Sequence, residues 1–135
     1  MMTNRFLIEQ EISPENLDWG SLRWLSTPKV TGAGELTVIQ VSLSPGKGHN
    51  FHKHPDQEEV IYVIEGKVEQ WVDQEMRVLR PGDSAFIPAD MVHASFNVGE
   101  SDAKLLAILG PCVGEGGYEL VDVAEQAPWS GLRTQ

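Results

Sequence analysis

Residues 46–66 read GKGHNFHKHPDQEEVIYVIEG, and this stretch decides the fold. Successive side chains of a β-strand point to opposite faces, so His52 and His54, two residues apart, project together. Their imidazole nitrogens are then correctly separated to bind one ion. Residues 55–57 (PDQ) interrupt the strand, and the acidic pair Glu58-Glu59 follows at once. A carboxylate at that point can turn back towards the two imidazoles.

The other two histidines have different contexts. His49 stands at an odd spacing from His52, so strand alternation turns it to the opposite face and predicts a bystander. His93 lies in a second distinctive stretch, residues 82–97, which reads GDSAFIPADMVHASFN. Asn97 falls four residues after His93 on the same strand face, and we expect it to be structural.

The rest of the sequence consists mainly of short apolar runs separated by Gly, Pro and Asp. Such spacing is typical of an all-β sandwich or barrel. We expect strands at 35–43, 60–64, 67–72, 76–79, 84–87, 94–98 and 104–109, with an edge strand at 5–10 and a hairpin turn at 73–75. Two segments suggest short helices, a capped turn at 13–17 and a stretch at 121–126.

The two histidine-bearing stretches together resemble the motifs of a known family. Gly46-x5-His52-x-His54-x4-Glu59-x6-Gly66 resembles the first cupin motif at every fixed position. Gly82-x5-Pro88-x-Asp90-x2-His93-x3-Asn97 resembles the second, with Asp90 where the family usually has glycine. Asp tolerates left-handed backbone better than most residues, so the loop should survive. Fifteen residues separate the motifs, about the shortest separation seen in microbial cupins.

The resemblance implies a fold and a set of ligands. The fold is a double-stranded β-helix, or jelly-roll barrel, in one domain. We expect that domain to span residues 1–135, with a core barrel at about 35–110, an N-terminal arm at 1–34 and a C-terminal tail at 111–135. In the family, the histidines and glutamate of both motifs share one metal, which here implies His52, His54, Glu59 and His93. Glu59 is preferred to Glu58 because it alone leaves six residues before Gly66.

Three imidazoles and one carboxylate favour a divalent transition metal, namely iron, manganese, nickel, copper or zinc. Four ligands leave two positions open on an octahedral ion. The leading hypothesis is therefore a metal-dependent dioxygenase of a small oxygenated substrate that resembles an enediol, a catechol or a flavonol. Glu59 is the one general base we name. Two alternatives stay open: a Lewis-acid isomerase or lyase, and a binding or sensing module without turnover.

Composition limits the partners. Ten basic and twenty acidic residues give a formal net charge of −10, which repels phosphate backbones and anionic lipids. We therefore expect a small-molecule ligand and neither nucleic acid nor membrane as a partner. The first residues contain no basic stretch followed by an apolar run, which predicts a cytoplasmic protein without a secretory signal. The single cysteine, Cys112, excludes an internal disulfide, and it lacks the neighbours of a catalytic thiol.

Two expectations concern the outside of the barrel. The tail after Gly110 is rich in glycine, and we expect it to pack along the barrel or along a second subunit. Val60, Tyr62 and Ile64 point outward by strand alternation, which leaves an apolar sheet face that needs a cover. The sequence therefore predicts a homodimer.

Overall fold

The computed structural model describes residues 3–133. Within that range, eleven strands form two antiparallel sheets whose inner faces enclose one core. The predicted double-stranded β-helix is confirmed. No helix in the same range is long and apolar enough to cross a membrane.

The first sheet has six strands in the order β1-β2-β3-β10-β5-β8. Their bounds are Glu15–Leu17 (β1), Gly20–Ser26 (β2), Thr37–Leu43 (β3), Glu58–Glu65 (β5), Ser84–Ile87 (β8) and Ala103–Gly110 (β10). A single helical turn, Pro28–Thr31 (α1), follows β2. It begins at Thr27, whose side chain accepts a hydrogen bond from the backbone N–H of Val30.

The second sheet has five strands in the order β11-β4-β9-β6-β7. Their bounds are Gly48–Lys53 (β4), Val68–Val72 (β6), Glu75–Leu79 (β7), His93–Asn97 (β9) and Val121–Asp122 (β11). The predicted hairpin joins β6 to β7, and Asp73 in its turn has a positive φ of 55°. Strand β9 is buried along its whole length, so it carries side chains into the barrel and into the layer behind it.

Strands β3 and β10 form the centre of the first sheet, and both alternate strictly between buried and half-buried residues. This is the period-two pattern of a strand that buries one face. The opposite, outer face includes apolar side chains on β5 and β8. Tyr62 is 42% exposed and Phe86 is 55% exposed, so the apolar outer face predicted for β5 is present.

The C-terminal tail covers the outer face of the second sheet. Phe51, Trp71 and Phe96 form a second apolar cluster there, against which Trp129 and Leu132 pack. Arg133 lies over the ring of Phe96, 3.7 Å from its centroid, and pairs with Glu69. The tail thus packs along the barrel of its own chain.

Three local predictions are wrong. Residues 15–17 form strand β1 instead of a helical turn, because pairing with β2 satisfies their backbone groups. Residues 9–11 form a 3-10 turn where an edge strand was expected. Val121 and Asp122 pair with β4 instead of beginning a helix. In the two strand cases, tertiary pairing overrides the local signal.

Residues at turns hold the ends of the strands. Gly66, between β5 and β6, has φ of 88°, and an added Cβ would lie 2.8 Å from Ala103. Asp90 adopts φ of 67°, so this departure from the family pattern keeps the left-handed turn. The Asn97 amide donates to the carbonyls of Leu43 and Ser101. Asn97 is therefore structural, as expected.

Candidate metal centre

Four side chains from separate parts of the sequence meet inside the barrel. One ring nitrogen from each of His52, His54 and His93 lies within 4.8 Å of the others. Oε1 of Glu59 is 2.8 Å from Nε2 of His93 and 3.4 Å from Nε2 of His54. All four residues are buried. The structure therefore brings together the whole set that the two motifs implied.

The strands explain this convergence. His52 lies on β4, and His54 comes directly after its end, so strand alternation directs both rings inward. His93 begins β9 and is paired with His52 in the register of the two strands. Glu59 comes from β5 in the facing sheet. The site is thus a bridge between the two sheets.

A backbone carbonyl holds each imidazole ring from behind. The Nδ1 atoms of His52 and His54 lie 2.6 Å from the carbonyls of Asn50 and Glu119. Nδ1 of His93 lies 3.0 Å from the carbonyl of Met91. A carbonyl only accepts hydrogen bonds, so each Nδ1 carries a proton, and in the neutral ring the lone pair lies on Nε2. This is the arrangement by which proteins orient histidine ligands.

Two atoms at the centre test whether a cation fits. Oε1 of Glu59 and Nε2 of His93 are buried and make no well-formed hydrogen bond among the described residues. A buried polar atom without a partner is costly unless something unshown satisfies it. A divalent ion between these atoms would satisfy both, so the donor set fits a metal.

The protonation states agree with that fit. Burial alone would raise the pKa of Glu59, but contacts with His54 and His93 outweigh it and lower the pKa to about 2. Burial, with the neighbouring histidines, lowers the pKa of His52 well below 6.5. Burial acts against charge on His93 as well, yet Glu59 raises its pKa. The site therefore holds an ionised carboxylate that stabilises positive charge beside it.

His49 does not behave as strand alternation predicts. The register between β4 and β9 shifts between His49 and His52, which marks a β-bulge. A bulge adds one residue to a strand and resets which side chains face inward. His49 therefore shares an interior cavity with His52, and the two rings stack with centroids 3.7 Å apart. The predicted outward orientation of His49 is wrong. Burial is the main reason that the pKa of His49 falls to about 4.

Two aromatic residues that the sequence analysis did not single out also adjoin the site. Trp19 stacks on the other face of His49, with ring centroids 4.7 Å apart. Tyr118 lies beside His54, with ring centroids 5.2 Å apart, and contacts Trp24 at the same distance. Neither aromatic has a motif spacing, because each comes from a loop that reaches the site only in the folded chain.

Gln57 holds the loop that carries Tyr118. Its side-chain amide donates to the carbonyls of Pro111 and Gly117, at 2.8 and 2.9 Å. Its carbonyl oxygen accepts from the backbone N–H of Glu119. The carbonyl of that same Glu119 accepts from Nδ1 of His54. A chain of hydrogen bonds thus runs from Gln57 through the loop to one imidazole of the site.

An interior cavity is lined by three of the four residues, and a much larger one lies beside Tyr118. The interior one measures about 30 Å³ and is lined by His49, His52, Glu59, His93 and apolar side chains. The other, of about 340 Å³, lies on the far side of Tyr118, between β2, α1 and the loop 115–118. Its lining is mostly apolar and includes Trp24 and Val30, with Lys29 and Glu115 among the lining residues.

Comparison with known proteins finds a matching sequence family and several similar proteins. A sequence family described as "Cupin domain" matches residues 39–109. The chain is 36% identical over 110 residues to "Polyketide synthase CurC" of Streptomyces cyaneus, across 82% of this chain and 71% of that protein. It is 33% identical over 78 residues to quercetin 2,3-dioxygenase of Bacillus subtilis, across 58% of this chain and 23% of that protein.

Among solved structures, KdgF from Halomonas sp. superposes with a TM-score of 0.74 at 21% identity. The alignment covers 83% of this chain and 97% of that chain. This likeness shows a shared fold.

Proposed function

This chain belongs to the cupin family, and from that premise we propose that it is a metal-dependent dioxygenase of a planar substrate with two adjacent oxygens. Catechols, enediols, flavonols and polyketide-derived phenols are substrates of this kind. One observation carries the proposal: ring nitrogens of His52, His54 and His93 lie within 4.8 Å of one another, and Oε1 of Glu59 is in contact with two of these rings. Fold alone does not fix function, so the case rests on this site.

The proposal assigns His52, His54, Glu59 and His93 as ligands of one divalent transition metal. Imidazole suits iron, manganese, nickel, copper and zinc, whereas calcium and magnesium prefer shells made of oxygen. When bound, such an ion supplies Lewis acidity and, if it is iron or manganese, one-electron chemistry with dioxygen. The chain supplies the orientation of the imidazoles and a site whose four side chains are buried.

The larger cavity supports an aromatic substrate. It has room for a ring system, at about 340 Å³, and a mostly apolar wall that includes Trp24. Tyr118 forms the boundary between this cavity and His54. An aromatic ring packed on Trp24 would reach the four ligands only by displacing Tyr118. Two relatives have names that refer to oxygen-rich aromatic or polyketide chemistry, which is consistent with such a substrate.

In this proposal Glu59 has a second role as proton acceptor. Its carboxylate is ionised and reaches both His54 and His93. A carboxylate that moves away from the other ligands would accept the proton that a phenol or enol loses on binding. Incorporation of both atoms of dioxygen into the substrate then needs no external reductant, so the reaction is balanced by the two substrates alone.

Oxygen uptake tests the proposed reaction. The protein is reconstituted with iron(II) without oxygen and then exposed to oxygen with catechol, quercetin or a dihydroxynaphthalene. We expect oxygen consumption with at least one of them, and products that together contain both atoms of the dioxygen consumed. The zinc-loaded protein is the matched control and should consume none.

The alternatives give different results. Turnover of a substrate by the zinc-loaded protein without oxygen uptake would indicate a Lewis-acid isomerase or lyase and contradict the proposal. Calorimetric binding of a panel member without any product would indicate a binding module. Absence of both binding and uptake across the panel would also count against it.

We further propose that a second copy of the chain covers the outer face of the first sheet. Tyr62 and Phe86 are exposed there, and a cavity of about 380 Å³ is lined by Leu36, Val60 and Phe86. Burying such side chains is worth about 2 kcal/mol each. Sedimentation equilibrium should find a dimer, and Phe86→Glu should shift it to monomer. Val78→Glu, on β7 of the other sheet, should not. A monomeric wild-type protein would contradict the proposal.

A further inference from the structure

His49 is the one imidazole at the site that the ligand set does not include. The bulge in β4 turns it inward, and the rings of Trp19 and His52 stack on its two sides. Stacking fixes the plane of the ring but leaves both ring nitrogens free to meet a ligand at the ring edge. Among residues 3–133, neither nitrogen of His49 hydrogen-bonds to another protein group.

The cavity that His49 lines restricts what can enter. At about 30 Å³ it has room for one or two water-sized molecules. An aromatic substrate does not fit, whereas water, hydroxide or dioxygen does. Its walls on the first sheet are apolar and include Val41, Ile61 and Leu105, so they offer no hydrogen bond. Its polar side consists of Ser95 and the imidazoles with Glu59.

Ser95 already has a hydrogen-bond partner for its hydroxyl. It is the cross-strand partner of His49, and its hydroxyl donates to Oε1 of Gln70 at 2.6 Å. The hydroxyl proton is therefore directed away from the cavity. The ring N–H of His49 is then the only side-chain donor, within the described residues that line the cavity, that neither binds a backbone carbonyl nor belongs to another pair.

We propose that this cavity is a subsite for a small molecule of two or three atoms beside the metal, and that His49 donates a hydrogen bond to it. The inference rests on the proposed metal site and deepens it. The small oxygen-bearing ligand occupies the interior cavity, and the aromatic substrate, which is too large for it, approaches from the larger cavity beside Tyr118. In this proposal His49 determines specificity at the small subsite, because its ring N–H is the hydrogen-bond donor directed at that cavity.

Azide binding to the cobalt(II)-loaded protein tests the subsite. Azide has three atoms in line and accepts hydrogen bonds, and its binding changes the visible spectrum of cobalt(II). Three proteins are compared: wild type, His49→Phe and His49→Gln. Phenylalanine keeps the stack between Trp19 and His52 and removes the donor. Glutamine restores an N–H donor without the ring. Cobalt(II) affinity is measured for each protein by titration before azide is added.

We expect His49→Phe to bind cobalt(II) within about threefold of wild type and azide at least about tenfold more weakly, the usual cost of a hydrogen bond to a charged group. His49→Gln should recover part of the azide affinity. Equal azide affinity in wild type and His49→Phe overturns the inference, and so does a cobalt spectrum that azide leaves unchanged. Loss of cobalt(II) in His49→Phe shows a ligand or structural role instead. If wild type itself takes up no cobalt(II), the proposed metal site fails, and this inference fails with it.

Discussion

His52 and His93 are paired residues of neighbouring strands, and their ring centroids lie 4.2 Å apart. One residue belongs to each of the two motifs, and 41 positions of sequence separate them. Their proximity therefore depends on the register between β4 and β9 and on nothing local. Each ring is also held at Nδ1 by a carbonyl of its own segment. The folded barrel therefore positions Nε2 of both rings without a bound ion.

The first prediction concerns metal content. His52→Ala removes one of the four proposed ligands, and we expect metal affinity to fall by more than about 100-fold, since loss of a supporting partner alone costs 10- to 100-fold. Elemental analysis of the purified proteins measures this. Lys53→Ala is the matched control, because Lys53 is the next residue and pairs with Asp90 at 3.1 Å. A His52→Ala protein with the same metal content as wild type would refute the ligand set.

The second prediction concerns the hydrogen bonds from Gln57. Gln57→Leu leaves the carbonyl of Pro111 and the N–H of Glu119 without their partner, which should cost about 2 to 3 kcal/mol in unfolding free energy. It should also weaken metal binding about tenfold, because Glu119 orients His54. Urea unfolding and metal titration measure the two effects.

Thr37→Val is the control for that experiment. The hydroxyl of Thr37 also donates to the carbonyl of Gly117, at 2.7 Å, but does not contact Glu119. This variant should lose stability and keep its metal affinity. Equal loss of metal affinity in both variants would show that the effect on His54 is not specific to the Gln57 chain.

The third prediction concerns pH and the C-terminal tail. Burial would raise the pKa of Glu69, but hydrogen bonds from Arg133 and Trp71 outweigh it and lower the pKa below 4.5. A lowered folded pKa adds stability above the unfolded pKa, and that stability is lost as the pH falls through the folded value. Arg133→Ala should therefore cost about 1 kcal/mol at pH 7 and progressively less below pH 4.5.

Urea unfolding of wild type and Arg133→Ala from pH 7 to pH 3 measures that difference. Arg77→Ala removes the same charge from an exposed position on β7 and should change stability little at any pH. A cost for Arg133→Ala that stays constant over the range would mean that packing on Phe96, and not the charge on Glu69, supplies the stabilisation.

The fourth prediction separates backbone strain from steric clash. Gly66→Ala places a side chain at φ of 88° and 2.8 Å from Ala103. Gly46→Ala meets the same kind of strain at φ of 75°, with nothing within 4 Å of the new Cβ. We expect about 1 to 2 kcal/mol of destabilisation for Gly46→Ala and clearly more for Gly66→Ala. Equal unfolding free energies for the two variants would show that the backbone at Ala103 moves freely.

The barrel and the four-residue centre could be predicted because two spaced motifs resemble those of the cupin family. Strand alternation by itself predicts only that His52 and His54 share a face. The same rule failed at His49, since a bulge adds one residue and reverses the parity. No periodic signal marks such a bulge in a single sequence.

The loop contacts were beyond prediction for another reason. Gln57 reaches Gly117 across 60 residues, and Tyr118 reaches His54 across 64. Nothing in residue type or spacing predicts a contact between residues so far apart in the sequence. Strand β1 was missed similarly, because residues 15–17 are extended only through their pairing with β2.

The carbonyl of Glu119 couples the filling of the larger cavity to metal binding. Tyr118, which lines the larger cavity, precedes Glu119 directly, and Glu119 holds His54. An occupant that displaces Tyr118 also displaces the acceptor that fixes one imidazole. The free energies of filling the cavity and of binding the cation are then linked. By thermodynamic reciprocity, if filling the cavity changes the affinity for the cation by some factor, binding of the cation changes the affinity for the occupant by the same factor.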